Sequence, residues 1–267
     1  MWRAYCTVMS IMRHIKTLML LGYTLAAPLV AQAIPTSGSI VSMELTGVTG
    51  TSMEGYYTSP YFASVGPSGL TSASQFTSSN SFSTMIFCDD FLTDVGVGLI
   101  WQATVTDMSA LSGISSPLST LKFDTAGTAS KQQQAYMAEA WLAEDILGVN
   151  QSTSAGQTKA AELSYAMWDI FDPSGALSGL TSAERSAALA DVSSAYSHIA
   201  GDNPNDFSNV YIFTPKPTSA SQEYLVVDPF PPESVPEPAT LSLLGAALAG
   251  IGFAARRRRK GTSFRDG

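Results

Sequence analysis

The chain has 267 residues, of which 45% are hydrophobic and 13% charged, with a formal net charge of −8. Between Ile34 and Ser234, five Lys or Arg face twenty Asp or Glu, a balance of about −15 that repels nucleic acid and anionic lipid. Two histidines and two cysteines are too few for a zinc centre of the usual kind or a Ser-His-Asp triad, so no metal, no cofactor and no catalytic residues are expected.

At the N-terminus, Arg13, His14 and Lys16 precede an apolar run over residues 18–30. Ala31 and Ala33 then place small side chains at the two positions a signal peptidase reads. Residues 1–33 are therefore expected to be a signal peptide removed by signal peptidase, with the mature chain starting at Ile34. The pattern itself begins at Met12, so Met1 and Met12 are both candidate starts. Cys6 leaves with this leader, and Cys88 stands alone in an oxidising compartment with no partner for an internal disulfide. It is expected to be buried and inert, paired with another chain, or chemically special.

Residues 34–227 suffice for one domain with a proper core. Residues 40–45, 82–87 and 99–106 carry β-branched or aromatic side chains with partial alternation and read as strands. Gly96, Val97 and Gly98 read as the turn joining the last two, and the Ser/Gly-rich stretch 58–80 reads as loop. Over 130–147 the period becomes helical, carried by Ala138, Trp141, Leu142, Asp145 and Ile146. A second helix over 157–171 aligns Ala160, Leu163, Met167, Ile170 and Phe171, and Asp172-Pro173 stops it. A third opens at the capping box Thr181-Ser182-Ala183-Glu184 and ends near Gly201. Strands return at 210–213 and 223–227. The expected fold class is α+β: a β-rich ectodomain with a helical insert of about three helices, flanked by the signal peptide and a C-terminal transmembrane helix.

Residues 228–234 form a stiff Pro-rich spacer. Val235, Pro236, Glu237 and Pro238 follow, and the two prolines hold the backbone extended. The apolar run 239–255 rises about 25 Å as a helix, at the short end of what crosses a bilayer. Arg256, Arg257, Arg258, Arg259 and Lys260 stay on the cytoplasmic side, which leaves the ectodomain outside and 261–267 as a cytoplasmic tail. This order of motif, apolar run and basic cluster over 235–260 resembles the PEP-CTERM sorting signal of Gram-negative exoproteins. The resemblance implies an exosortase-type membrane protease that cuts near Pro-Glu-Pro and passes the ectodomain to the cell surface or extracellular matrix.

Three ectodomain segments also resemble a recurrent pattern of such proteins, which in turn is similar to thioester domains of surface adhesins. They are Phe87-Cys88-Asp89-Asp90-Phe91, the helix around Trp141, and the helix around Trp168. The resemblance implies a Cys–Gln thioester, but the expected Gln position, four before Trp168, holds Ser164. By this resemblance Cys88 and Ser164 are expected to mark a vestigial thioester site. Gln132, Gln133 and Gln134 could serve only in another topology. The plain expectation is a small buried Cys88 beside Trp141 and Trp168.

Acidic groups offer weaker candidates. Asp89, Asp90 and Asp94 lack the Asp-x-Asp-x-Asp-Gly calcium loop, and the segment 202–206 reads as a turn. Glu139 with Glu144, or Asp169 with Asp172, could form a carboxylate pair for glycoside hydrolysis, although solvated helix faces account for them as well. The expected function is a non-enzymatic surface or matrix protein with a structural or adhesive role, with extracellular polysaccharide as a possible partner of the ectodomain. The alternatives are a carboxylate-based extracellular hydrolase and a degenerate thioester adhesin.

Overall fold

A computed structural model describes residues 35–123 and 127–227. The expected signal peptide with Ala31 and Ala33, the spacer, the sorting motif, the apolar run and the basic cluster lie outside the described residues. Among the described residues, no helix is long and apolar enough to cross a membrane.

Alternating apolar residues build six antiparallel strands that close into a barrel. They are β1 (Ile40–Val48), β4 (Tyr61–Pro67), β5 (Phe82–Cys88), β6 (Ile100–Asp107), β7 (Val210–Pro215) and β8 (Tyr224–Val227). Their order around the barrel is β1-β4-β5-β8-β7-β6, with β6 pairing back onto β1. Cross-strand pairs such as Met43–Trp101, Leu45–Ala63, Tyr61–Ile86, Cys88–Tyr224 and Val105–Phe213 set the inward face. All ten of these side chains are buried. Tyr61 meets Tyr224 edge-on at 6.2 Å and Trp101 lies 5.7 Å from Tyr224, so aromatic rings fill the lumen.

Between β1 and β4, β2 (Ser52–Met53) and β3 (Tyr56–Tyr57) form a short hairpin. Its turn residues Glu54 and Gly55 both have positive φ, 50° and 89°, the backbone of a tight two-residue hairpin loop. The segment between β6 and β7 carries α1 (Ala129–Gly148), α2 (Ser154–Phe171) and α3 (Ser182–His198). Thr128, Thr153 and Thr181 cap them, each hydroxyl accepting from a first-turn amide. The Thr181–Glu184 capping box forms as expected.

The helices pack on one another, and α1 also packs on β8. Phe87, Ile212 and Leu225 alternate with lumen residues and so point out of the barrel, yet all three are fully buried. The helical insert covers that outer wall. The fold class is thus the α+β arrangement expected, with the β framework closed into a barrel.

Two local expectations are corrected. The stretch 58–80 contains β4, whose Tyr61, Ala63 and Val65 alternate inward but sit among Ser, Gly and Pro. Gly96–Gly98 is not a turn between paired strands, because β5 and β6 are not neighbours in the barrel. Gly98 instead donates to the Leu45 carbonyl at 2.7 Å from the left-handed region (φ 87°), which tucks the 89–99 connection against β1.

Candidate functional site

Strand parity places the polar groups at the end of β5. Cys88 faces the lumen opposite Tyr224, so Asp89 and Glu223, one step further along, turn outward to the helical insert. On α1, Tyr136 and Glu139 are one turn apart on the same face and meet them there. Asp89, Glu139, Glu223 and Asp90 are all 0% exposed. The result is a carboxyl-rich seam between barrel and helices.

The four acids are served unequally. Glu223 accepts from the Tyr136 hydroxyl at 2.6 Å, from the Lys122 amide at 3.0 Å and from the Thr214 hydroxyl. Asp90 pairs with the Lys122 ammonium, which also donates to Thr93 Oγ1 at 2.8 Å and to the Ser221 carbonyl at 2.9 Å. No protein donor reaches either oxygen of Asp89 or of Glu139. Asp89 lies beside Glu223, and two carboxyls can share a hydrogen bond only when one of them carries a proton.

Burial, and then the charges of Glu223, Glu139 and Asp90, push the Asp89 carboxyl well above the usual range. Burial, and then Glu223, do the same to Glu139. Burial also raises Glu223, against the hydrogen bonds it accepts. Lys122 is the one cation that bonds into the seam among the described residues.

Cys88 is a free, fully buried thiol whose Sγ contacts the Asp90 carbonyl at 3.2 Å. Burial first, and then Asp89 and Asp90, push its pKa well up, the opposite of an activated thiolate. Its amide donates to Ser59 Oγ at 3.1 Å, its carbonyl accepts from Trp168 Nε1 at 3.0 Å, and the Ser59 amide donates to Ser164 Oγ at 3.0 Å. Ser59 thus links Cys88 to Ser164 across β5 and α2. Ser164 also donates to the Ala160 carbonyl at 2.9 Å.

Several expected candidates lie elsewhere. Trp168 does flank Cys88, but Trp141 is only partly buried and packs on His198 at 5.1 Å. Gln132 brackets the loop before α1 through Leu118 and Phe123, and Gln133 donates to the Leu111 carbonyl at 2.6 Å. Glu139 does not sit on a solvated face and does not pair with Glu144, which accepts from Asn209 at 3.0 Å. Asp172 folds back on Ser174 and Gly175. Asn203 and Asp206 cap the 3-10 turn Pro204–Phe207. Among the described residues, no group of three or more His, Cys, Asp or Glu could hold a metal ion.

Sequence reasoning missed the seam because its acids come from three distant segments, at 89–90, 139 and 223. One signal was available: Gln132, Ala135, Glu139, Leu142 and Ile146 form the buried stripe of α1, so Glu139 interrupts an otherwise apolar or neutral face.

Residues 234–259 match the PEP-CTERM protein-sorting motif. The match covers the Val235–Pro238 motif, the apolar run and four of the five clustered cations. It identifies a C-terminal sorting signal, which implies an exported chain, anchored at its C-terminus and processed by exosortase. No curated protein and no solved structure matches the chain.

Proposed function

We propose that this chain is a non-catalytic surface or matrix protein whose ectodomain serves as a structural or adhesive module. A signal peptidase removes residues 1–33, residues 239–255 hold the intermediate in the membrane, and cleavage near Pro236-Glu237-Pro238 releases the ectodomain. The sorting-motif match at 234–259 carries this reading. Support for a non-catalytic role comes from the seam: its acids converge from three segments but are fully buried, where no glycan chain can reach them. The chain without residues 235–260 should be found in the periplasm or medium on fractionation of its host. Unchanged retention at the surface would overturn the reading.

The link from Cys88 through Ser59 to Ser164 favours a second reading, a thioester module that has lost its carboxamide. Proximity drives that condensation: the thiol adds to the carboxamide carbon, the S–C bond forms, and the C–N bond breaks with loss of ammonia. Wild type should keep its full mass. Ser164→Gln should lose about 17 Da, reversed by methylamine, if the two positions retain thioester geometry. A Ser164→Gln chain of full mass, folded by its fluorescence, would remove this reading and leave the first intact.

A further inference from the structure

The acids of the seam outnumber the groups that can serve them. Four carboxyls (Asp89, Asp90, Glu139 and Glu223) lie fully buried with one cation, the Lys122 ammonium, and that cation is bound to Asp90. Asp90 also accepts from the Leu92 amide at 2.9 Å, and Glu223 takes the neutral donors that come from α1, β7 and the loop before α1. Asp89 and Glu139 are left with four oxygens, none of which has a protein donor.

An ionised carboxylate in such a place is cut off from bulk solvent and has no counter-charge of its own, whereas a protonated one removes the charge and can donate to a neighbouring acceptor. For Asp89 that acceptor is Glu223. The other titratable groups around the seam do not change the balance. Cys88 and Tyr224 on the barrel side and Tyr136 on α1 are neutral and pushed upward by burial, and Tyr196 on α3 is raised by burial and then by Glu139. Asp169 on α2 is itself raised by burial and then by Asp172.

We propose that Asp89 and Glu139 are held protonated in the folded domain at neutral pH, so that the seam between barrel and helical insert is a proton-loaded latch that loosens as the pH rises. The sign follows from linkage. Both groups bind protons more tightly folded than unfolded, so their contribution is complete below the unfolded carboxyl range, near pH 4, and is lost as the pH climbs toward their folded values. Ordinary paired carboxylates act in the opposite direction. The Tyr136–Glu223 bond ties α1 directly to the residue that precedes β8.

The experiment uses the full chain in detergent micelles, unfolded by urea and followed by tryptophan fluorescence between pH 5 and 8. The unfolding constant should rise about 10-fold per pH unit for each proton released. Refolding by dilution in weakly buffered solution at pH 7 should take up about two protons per chain, read with a pH indicator. The double variant Asp89→Asn with Glu139→Gln should flatten the pH dependence, because each amide mimics the protonated acid. If that variant does not fold, the proton uptake of wild type decides alone. A flat wild-type profile, no proton uptake, or a folded variant that keeps the wild-type slope would each overturn the latch.

Discussion

The lumen of the barrel and the seam outside it are one step of strand alternation apart yet obey different rules. In the lumen Met43, Ile86, Phe213 and Trp101 exclude water without any charge, and the tyrosine rings of Tyr61 and Tyr224 pack against neighbours. Its stability comes from area and close packing, which do not depend on pH. In the seam, one residue further along β5 and β8, the interior is polar and its stability depends on proton count and on one ammonium. A single alternation of side-chain direction, Cys88 inward and Asp89 outward, separates the two regimes.

Substitutions can test that contrast. The largest effect is expected at Lys122→Met, which leaves Asp90 buried without its cation and should destabilise by about 3–5 kcal/mol in urea titrations at pH 7. In the lumen, Ile86→Ala should lose about 2–5 kcal/mol, and the loss should be equal at pH 5 and pH 8. A pH-dependent loss at Ile86 would blur the division between the two regions.

Tyr136→Phe removes one of the donors to Glu223 and should lose about 1–3 kcal/mol at pH 8. Because Glu223 is already raised, taking away a bond to its charged form raises it further. The additional loss therefore appears above the unfolded carboxyl range and should shrink toward pH 5, as measured by the same titrations. Far from both regions, Thr181→Ala breaks the capping box of α3 and should lose about 1 kcal/mol at either pH.

Much of the framework was legible in the residues, because periodicity is a local signal. Five of the six barrel strands and all three helices fall where alternation, helical spacing and the Thr181 capping box place them. Tyr61–Pro67 escaped because Pro60, Gly66 and the Ser-rich tract after it break the alternation that Tyr61, Ala63 and Val65 still carry. Closure of the barrel was not legible, since it rests on β8 inserting between β5 and β7 across more than a hundred residues of chain.

The candidate site divides in the same way. The sorting signal is a linear text and can be read directly, and the motif match over 234–259 covers all of the expected 235–260 except Lys260. The pairing of Cys88 with Ser164 follows from the resemblance in motif spacing, but its mediator, Ser59, has no local mark at all. The carboxyl seam depends on three distant segments meeting. Only Glu139, set in the apolar stripe of α1, hinted that a charge was being taken inside.

Barrel closure also bears on the order of events during delivery. Among the described residues β8 is the last strand in sequence and the partner that pairs with the edge of β5, and its final residue, Val227, is followed within seven residues by the sorting motif at 234. A chain that emerges N-terminus first cannot finish its barrel until nearly all of it has been delivered. A product that stops short of Tyr224 then lacks both its sealing strand and its address.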